Sequence, residues 1–213
     1  MSSVAKNMKL FITGISTDVG KTIASSIIVE ALEADYWKPI QAGDLENSDT
    51  HKVKERVSNK KSFFHPNAYA LNTPASPHYA AAIDGITVDI NQIIEPNTSN
   101  HLVIEGAGGV LVPFNQENYI IDLIQKDYKV ILVSRHYLGS INHTLLTYEA
   151  LKSRNIKTAG IIFSGDENRA TEEIILKNTG ATFIGRIDNE PYFDANVTKY
   201  YADKFRENLL GLQ

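Results

Sequence analysis

The sequence predicts an α/β fold in which a doubly wound, mostly parallel sheet carries helices on both faces. Short runs rich in β-branched residues end in Gly, Ser, Asn or Asp and alternate with stretches of helical periodicity. Two of these runs, His101–Glu105 and Lys129–Ser134, are almost entirely apolar, which indicates strands covered on both faces. A length of 213 residues suits one domain with a full core.

The elements are predicted in order from the N-terminus. A strand at Lys9–Thr13 leads into a helix at Thr22–Ala34, where Ile23, Ile27 and Ala31 form one apolar stripe. The later predicted strands are Tyr36–Ile40, His101–Glu105, Lys129–Ser134, Ala159–Phe163 and Thr182–Ile184. The later predicted helices are Ser48–Ser58, a helix from Ser76-Pro77 to about Gly85, Gly139–Ser153, Ala170–Lys177 and Val197–Leu210. We interpret residues 1–213 as a single domain and residues 1–8 as a loose extension.

The composition argues against several classes of function. Net charge is −4 and the basic residues are dispersed, so the basic stripe of a nucleic-acid-binding protein is absent from the sequence. The chain contains no cysteine, which excludes disulfides and thiol nucleophiles and fits a cytoplasmic protein. No apolar run approaches the ~18 residues of a membrane helix, and the N-terminus does not resemble a secretory signal. We therefore expect neither a nucleic-acid partner nor a membrane partner.

The loop after the first predicted strand has the residues of a phosphate-binding loop. Residues 13–22 read TGISTDVGKT, and five residues separate Gly14 from Gly20, where the usual pattern has about four. Backbone N–H groups and the helix N-terminus attract phosphate at such a loop. Lys21 is expected to reach the β- and γ-phosphates, and Thr22 to bind Mg²⁺. The alternative is an ordinary strand-to-helix turn with a solvated lysine, but the position after the first strand favours a nucleotide site.

Two further features predict a second substrate beside the phosphates. The additional loop residue places Thr17 and Asp18 at the crest of the loop, near the expected γ-phosphate. Lys38 ends a short predicted strand and points into the same crevice as Lys21, where it can stabilise a transferring phosphoryl group. The alternative for Lys38 is a surface lysine on an edge strand, which the neighbouring Pro39 supports to some degree.

Acidic residues follow two of the predicted strands. Glu105 ends a buried strand, where its carboxylate needs a partner such as Mg²⁺ or a lysine. Gly106 and Gly108 let a ligand approach the backbone there. Asp49 is a candidate metal ligand, although an N-cap role for Ser48 or Asp49 explains that stretch equally well. Farther along, the N-terminus of the Gly139–Ser153 helix is expected to bind a substrate carboxylate in the same crevice.

Taken together, these stretches resemble the dethiobiotin synthetase family. They occur in the family's order over positions 13–143, and the five-residue loop spacing belongs to the pattern. The matching stretches are TGISTDVGKT (13–22), KPIQAG (38–43), NSD (47–49), PASPH (74–78), VIEGAGG (103–109) and LGSINH (138–143).

The resemblance implies a fold similar to phosphate-loop NTPases and a cyclo-ligase reaction. 7,8-Diaminononanoate adds CO₂ as a carbamate, the carbamate attacks the γ-phosphate of ATP, and the second amine closes the ureido ring of dethiobiotin. It also implies Mg²⁺ and a homodimer with the active site near the interface. The implied catalytic residues are Thr17, Lys21 and Lys38. The implied nucleotide-binding residues are Asp18, Val19, Gly20, Lys21, Thr22, Ile23, Asp49, Glu105, Gly106, Gly108 and Ser164. The implied substrate-binding residues are Thr17, Lys38, Ala42, Gly139, Ser140 and Asn142, and the metal ligands are Thr22, Asp49 and Glu105.

Three positions depart from the family pattern. Asp18 stands where glutamate is more usual, and Ala42 replaces a common serine on the substrate side. Ser164 stands where the family often has an asparagine that reads adenine. A serine does not offer the paired donor and acceptor of an amide, so the sequence leaves the base selectivity open.

Three rival interpretations fit the sequence less well. A partition or septum-site ATPase usually carries an additional lysine early in the loop, and residues 14–17 contain none. A small-molecule kinase usually has an arginine-rich lid, but the arginines from Arg135 onward are not clustered. A catalytically inactive nucleotide-binding module is disfavoured, because both lysines and the proposed metal ligands are retained.

Overall fold

A computed structural model describes residues 7–212 and has a seven-stranded parallel sheet at its centre. The strands are β1 (Lys9–Gly14), β2 (Asp35–Trp37), β3 (Ile40–Ala42), β4 (Phe64–His65), β5 (Tyr69–Leu71), β6 (Leu102–Gly109), β7 (Tyr128–Arg135), β8 (Thr158–Ser164) and β9 (Thr182–Ile187). The helices are α1 (Lys21–Leu32), α2 (Asp49–Arg56), α3 (Pro77–Asp84), α4 (Ser140–Lys152), α5 (Arg169–Thr179) and α6 (Ala195–Leu210). The sheet order is β4-β2-β6-β1-β7-β8-β9, and β3 pairs with β5 in a separate two-stranded sheet.

Strand β1 lies in the middle of the sheet and separates two apolar layers. It pairs in parallel with β6 on one side and β7 on the other. Leu10 and Ile12 pack in a core that also contains residues of α1 and α6. Phe11 points the opposite way, into a second core with Ile104 and Val130. The predicted doubly wound α/β class is therefore confirmed, with helices on both faces.

The predicted strand at Tyr36–Ile40 was wrong in one respect, since the structure divides it in two. β2 ends at Trp37, and the chain leaves the main sheet before β3 begins at Ile40. Pro39 has no N–H group to donate to a ladder, which favours a break at this point. The break places Lys38 at the carboxyl end of β2 rather than inside a continuous strand.

Two other strands continue three or four residues past their predicted ends. β6 continues past Glu105 through the glycines to Gly109, and β9 continues past Ile184 to Ile187. Glycine-rich sequence usually weakens a strand, but here Gly109 pairs with Gly14 beside the phosphate-loop sequence. Of the expected N-terminal extension, residues 1–6 lie outside the described residues. Met8 packs on the core, and its N–H group donates to Nδ1 of His101 at 2.8 Å. Over residues 7–212, no helix is long and apolar enough to cross a membrane.

A buried carboxylate on α1 holds the loop after α2 in place. The Glu30 carboxylate accepts hydrogen bonds from the N–H and hydroxyl of Ser58 at 2.8 and 2.6 Å. It also accepts from the N–H and side-chain amide of Asn59 at 3.1 and 3.2 Å. Burial opposes ionisation of Glu30, but these four bonds outweigh it and hold its pKa below the usual value of 4.5.

Replacing Glu30 by alanine is expected to lower the free energy of unfolding by about 2 kcal/mol at neutral pH. The depressed pKa means that this contribution is complete above about pH 4.5 and is lost as the pH falls through the folded-state pKa. Urea unfolding at pH 7 and at pH 3 measures both effects. Glu30→Gln is the matched control, because it keeps the size and loses the charge. If wild type and Glu30→Gln have the same pH dependence, the carboxylate does not carry this contribution.

Candidate active site

The phosphate-loop sequence forms a tight loop between β1 and α1 at the carboxyl edge of the sheet. Asp18 at its crest has a φ of 55°, a left-handed conformation that aspartate tolerates better than most residues. Nη1 of Arg135 donates to the Asp18 carbonyl at 3.0 Å and holds the crest toward β7. Val19 is buried in the core, so only its backbone can face a ligand. Gly20 caps α1 with a φ of 96°.

Lys21 folds back across the loop and is almost fully buried. Its Nζ donates to the Ser16 carbonyl at 2.9 Å. Burial and the neighbouring positive charge of Lys38 lower the pKa of Lys21 to about 8, although Glu105 and Asp49 partly oppose this. The Lys21 ammonium can therefore bind an anionic ligand, because its hydrogen-bond partner within the loop is a neutral carbonyl oxygen.

Lys38 lies at the centre of a buried polar cluster and is 4% exposed. Its Nζ contacts Oδ2 of Asp49 at 2.6 Å and Oε1 of Glu105 at 3.1 Å. It also donates to the Gly106 carbonyl at 3.4 Å. Burial alone lowers the pKa of Lys38, but the charges of Glu105 and Asp49 outweigh burial and hold it above the usual value. The alternative of a surface lysine is wrong.

Glu105 is 1% exposed and joins the phosphate loop to the cluster. Its Oε1 accepts from the Thr22 hydroxyl at 3.0 Å, and its Oε2 accepts from the Tyr36 hydroxyl at 3.0 Å. Burial raises the pKa of Tyr36 well above its usual value, so this hydroxyl stays protonated as a donor. Tyr36 was not anticipated as a site residue. Its place in the strand before Lys38 offers little signal, since aromatic residues are common in buried strands.

Thr22, Asp49 and Glu105 bring three oxygen groups together. The Thr22 hydroxyl lies 3.1 Å from Oδ1 of Asp49 and 3.0 Å from Oε1 of Glu105. A hydroxyl has one proton and cannot donate to both carboxylates at once. A hard cation satisfies such a set, and Mg²⁺ typically takes one or two carboxylates with substrate phosphates and water. Within residues 7–212, no group of three or more His, Cys, Asp or Glu side chains is placed to hold a metal.

Two cavities meet at these side chains. One, of about 350 Å³, is lined by Gly20–Ile23 at the start of α1, and we call it the nucleotide cavity after the ligand that the loop sequence predicts. The other, of about 410 Å³, is the second cavity, and its apolar lining includes Ile40, Ala42 and Val112. Both cavities are lined by Thr17, Lys38, Asp49 and Gly108. Gly108 has a φ of 68°, and a Cβ there would lie 2.9 Å from Cγ2 of Val112, so a larger residue would obstruct the junction.

The predicted substrate residues Gly139, Ser140 and Asn142 do not join this site within one chain. They lie at the N-terminus of α4, beside β7, and line neither the nucleotide cavity nor the second cavity. Ser140 is buried, and its carbonyl accepts from the Thr144 hydroxyl. The expectation that they face the same crevice is therefore wrong for the single chain. The reason is that α4 packs alongside β7 and β8, one strand away from the loop after β1.

Ser164 lies at the edge of the phosphate loop. A Cβ on Gly20 would be 3.1 Å from the Ser164 hydroxyl, so the two residues are neighbours, yet Ser164 does not line the nucleotide cavity. Lys52 and Arg56 of α2 do line that cavity and were not anticipated. Their spacing of three and seven residues after Asp49 was a usable signal, because it places all three on one face of a helix.

Comparisons with known proteins find relatives over nearly the full length of the chain. An AAA domain family matches residues 8–197. The ATP-dependent dethiobiotin synthetase BioD of Christiangramia forsetii is 65% identical, over 93% of this chain and 96% of the relative. The protein of the same description from Cytophaga hutchinsonii is 50% identical, over 94% of this chain and 98% of that relative. The MinD cell division protein of Aquifex aeolicus matches in structure with a TM-score of 0.55 at 13% identity, over 97% of this chain and 98% of that one. This last likeness concerns the fold alone.

Proposed function

The chain belongs to the family of ATP-dependent dethiobiotin synthetases, and we propose that it closes the ureido ring of dethiobiotin where its two cavities meet. It is an ATP-dependent cyclo-ligase of biotin biosynthesis. The substrates proposed are 7,8-diaminononanoate, CO₂ and ATP, and the products are dethiobiotin, ADP and phosphate. The observation that carries the assignment of the site is the buried Lys38 cluster shared by both cavities.

ATP is proposed to lie in the nucleotide cavity with its γ-phosphate toward Thr17 and Lys38. Gly20 and the start of α1 offer backbone N–H groups to the phosphates, and Lys21 exchanges the Ser16 carbonyl for phosphate oxygens. Thr22, Asp49 and Glu105 are the residues that would hold Mg²⁺. When bound, Mg²⁺ would neutralise charge on the phosphates.

The diamine is proposed to lie in the second cavity, whose apolar walls suit an aliphatic chain. One amine adds CO₂ to form a carbamate and releases a proton. A carbamate oxygen then attacks the γ-phosphorus, and ADP leaves. The second amine attacks the carbonyl carbon of the resulting mixed anhydride and loses a proton, the C–O bond to phosphate breaks, and the ring closes as phosphate leaves.

Lys38 is proposed to stabilise the negative charge shared by the carbamate and the transferring phosphoryl group. Its ammonium is at the junction of both cavities, and its buried position keeps the local dielectric low. The Thr17 side chain lines both cavities and can orient the reacting oxygens. These two residues supply position and charge, and no covalent intermediate on the protein is required.

A homodimer remains our proposal for completing the substrate site. The Gly139–Asn142 segment lies outside the second cavity of its own chain, and we propose that its N–H groups bind the substrate carboxylate in another subunit. Exposed apolar side chains surround this segment, among them Tyr137, Leu138 and Ile141. Such residues are usual at the centre of subunit contacts. The single domain and the cytoplasmic location stay predictions.

A phosphate-release assay tests the proposed function. The purified protein is given 7,8-diaminononanoate, bicarbonate, Mg²⁺ and ATP, and phosphate release is expected only when all four are present. Phosphate release that does not depend on the diamine and CO₂ would contradict the synthetase assignment. Repeating the assay with CTP and GTP measures the base selectivity left open by Ser164.

A further inference from the structure

Helix α2 presents a row of charged side chains to the nucleotide cavity. Asp49, Lys52 and Arg56 all line it. Their spacing puts them on one face of the helix, with Lys52 about 4.5 Å and Arg56 about 10.5 Å along the axis from Asp49. We propose that Lys52 and Arg56 bind the α- and β-phosphates of the nucleotide and set the affinity of this chain for both ATP and ADP. The inference rests on the proposed nucleotide site and adds two binding residues to it.

The charges that line the cavity favour this role. Without Lys52 and Arg56, the cavity has the carboxylates of Asp18, Asp49 and Glu105 against the ammonium groups of Lys21 and Lys38. The net charge of these five side chains is negative and would repel a polyphosphate. Lys52 and Arg56 make the net charge of the lining positive, and a positive lining attracts an anionic ligand into the cavity.

Both cations are available for a ligand. Nζ of Lys52 contacts Oδ2 of Asp44 at 2.7 Å, but the Asp44 side chain is 54% exposed, and an ion pair of this kind contributes little. The Arg56 side chain donates from Nε to the Phe193 carbonyl at 3.3 Å. No carboxylate of residues 7–212 is within ion-pair distance of Arg56. Its terminal nitrogens can therefore form the forked contact that guanidinium makes with phosphate.

The Phe193 contact also links the phosphate end of the cavity to the loop before α6. Arg56 is held at Nε by this loop, which leaves the guanidinium fixed beside the cavity rather than free in solvent. A fixed cation loses less side-chain entropy when it binds phosphate. We therefore expect Arg56 to contribute more to nucleotide affinity than Lys52.

The test is calorimetric binding of MgADP to the full-length variants Lys52→Gln, Arg56→Gln and Arg56→Lys. Arg56→Gln is expected to raise the Kd for MgADP by about tenfold and Lys52→Gln by about threefold to fivefold. Arg56→Lys should recover part of the loss, because it restores charge but not the fork. Lys54→Gln is the matched control on the same helix, since Lys54 is exposed and outside the cavity, and its Kd should stay within about twofold.

Turnover adds a second readout. Since ADP carries the same two phosphates as ATP, the contacts are equal in ground and transition states, so KM for ATP should rise with kcat nearly unchanged. An Arg56→Gln protein that binds MgADP as wild type does would overturn the inference. Equal weakening by Arg56→Gln and Arg56→Lys would also overturn it, because the role would then be structural. Failure of the wild-type protein to bind MgADP would instead contradict the proposed nucleotide site.

Discussion

Replacing Lys38 by methionine is expected to lower kcat by about 10²- to 10³-fold while MgADP affinity changes by less than about threefold. The ammonium is 4% exposed, lies between Asp49 and Glu105, and faces both cavities. In the proposed mechanism Lys38 meets the carbamate and the γ-phosphoryl group only in the reacting complex, so its loss is expected to act on the transition state. Single-turnover phosphate release together with calorimetric MgADP binding measures both quantities.

In the absence of ligands, the Lys38→Met variant should also be less stable to unfolding than wild type. Methionine leaves the carboxylates of Asp49 and Glu105 without their cation, which is expected to cost about 3 kcal/mol. Mg²⁺ should restore more stability to this variant than to wild type, as read by thermal unfolding with and without the ion. Lys177→Met, at an exposed position on α5, is the matched control for turnover and stability. Turnover within tenfold of wild type would remove Lys38 from the proposed mechanism.

Replacing Glu105 by glutamine is expected to lower kcat by about 10²-fold and to raise the Mg²⁺ concentration for half-maximal activity by more than about tenfold. The carboxylate is 1% exposed and accepts from Thr22, Lys38 and Tyr36 at 3.0, 3.1 and 3.0 Å. An amide keeps the shape but loses the charge and one acceptor oxygen. A titration of activity with Mg²⁺ at saturating ATP measures the change.

Glu55→Gln is the control for that experiment, because Glu55 is exposed on α2 and outside both cavities. It should titrate with Mg²⁺ as wild type does. A Glu105→Gln protein whose Mg²⁺ requirement is unchanged would show that the metal is held elsewhere. The effects of the Lys38 and Glu105 substitutions on kcat and stability are not expected to be additive, since the two side chains are in direct contact.

Several features of the site were predictable because they depend on local sequence. The phosphate-binding loop lies between a strand and a helix, and Lys38 follows a strand at the same sheet edge, as expected for parallel topology. The prediction of a buried strand ending at Glu105 implied that its carboxylate has a partner. In the structure, Lys38, Thr22 and Tyr36 donate hydrogen bonds to it. Where prediction failed, at β3 and at the N-terminus of α4, the outcome depended on which elements pack together.

The sequence by itself determined the α/β class, the order of most elements and the place of the phosphate-loop sequence between a strand and a helix, because hydrophobic periodicity and glycine spacing act over a few residues. Only the tertiary structure decided that Lys38 forms ion pairs with both Asp49 and Glu105, that Lys52 and Arg56 of α2 line the nucleotide cavity, and that Gly139–Asn142 lies outside the second cavity of its own chain. Those relations join residues far apart in the chain. They are set by strand order and helix packing, which no local pattern encodes.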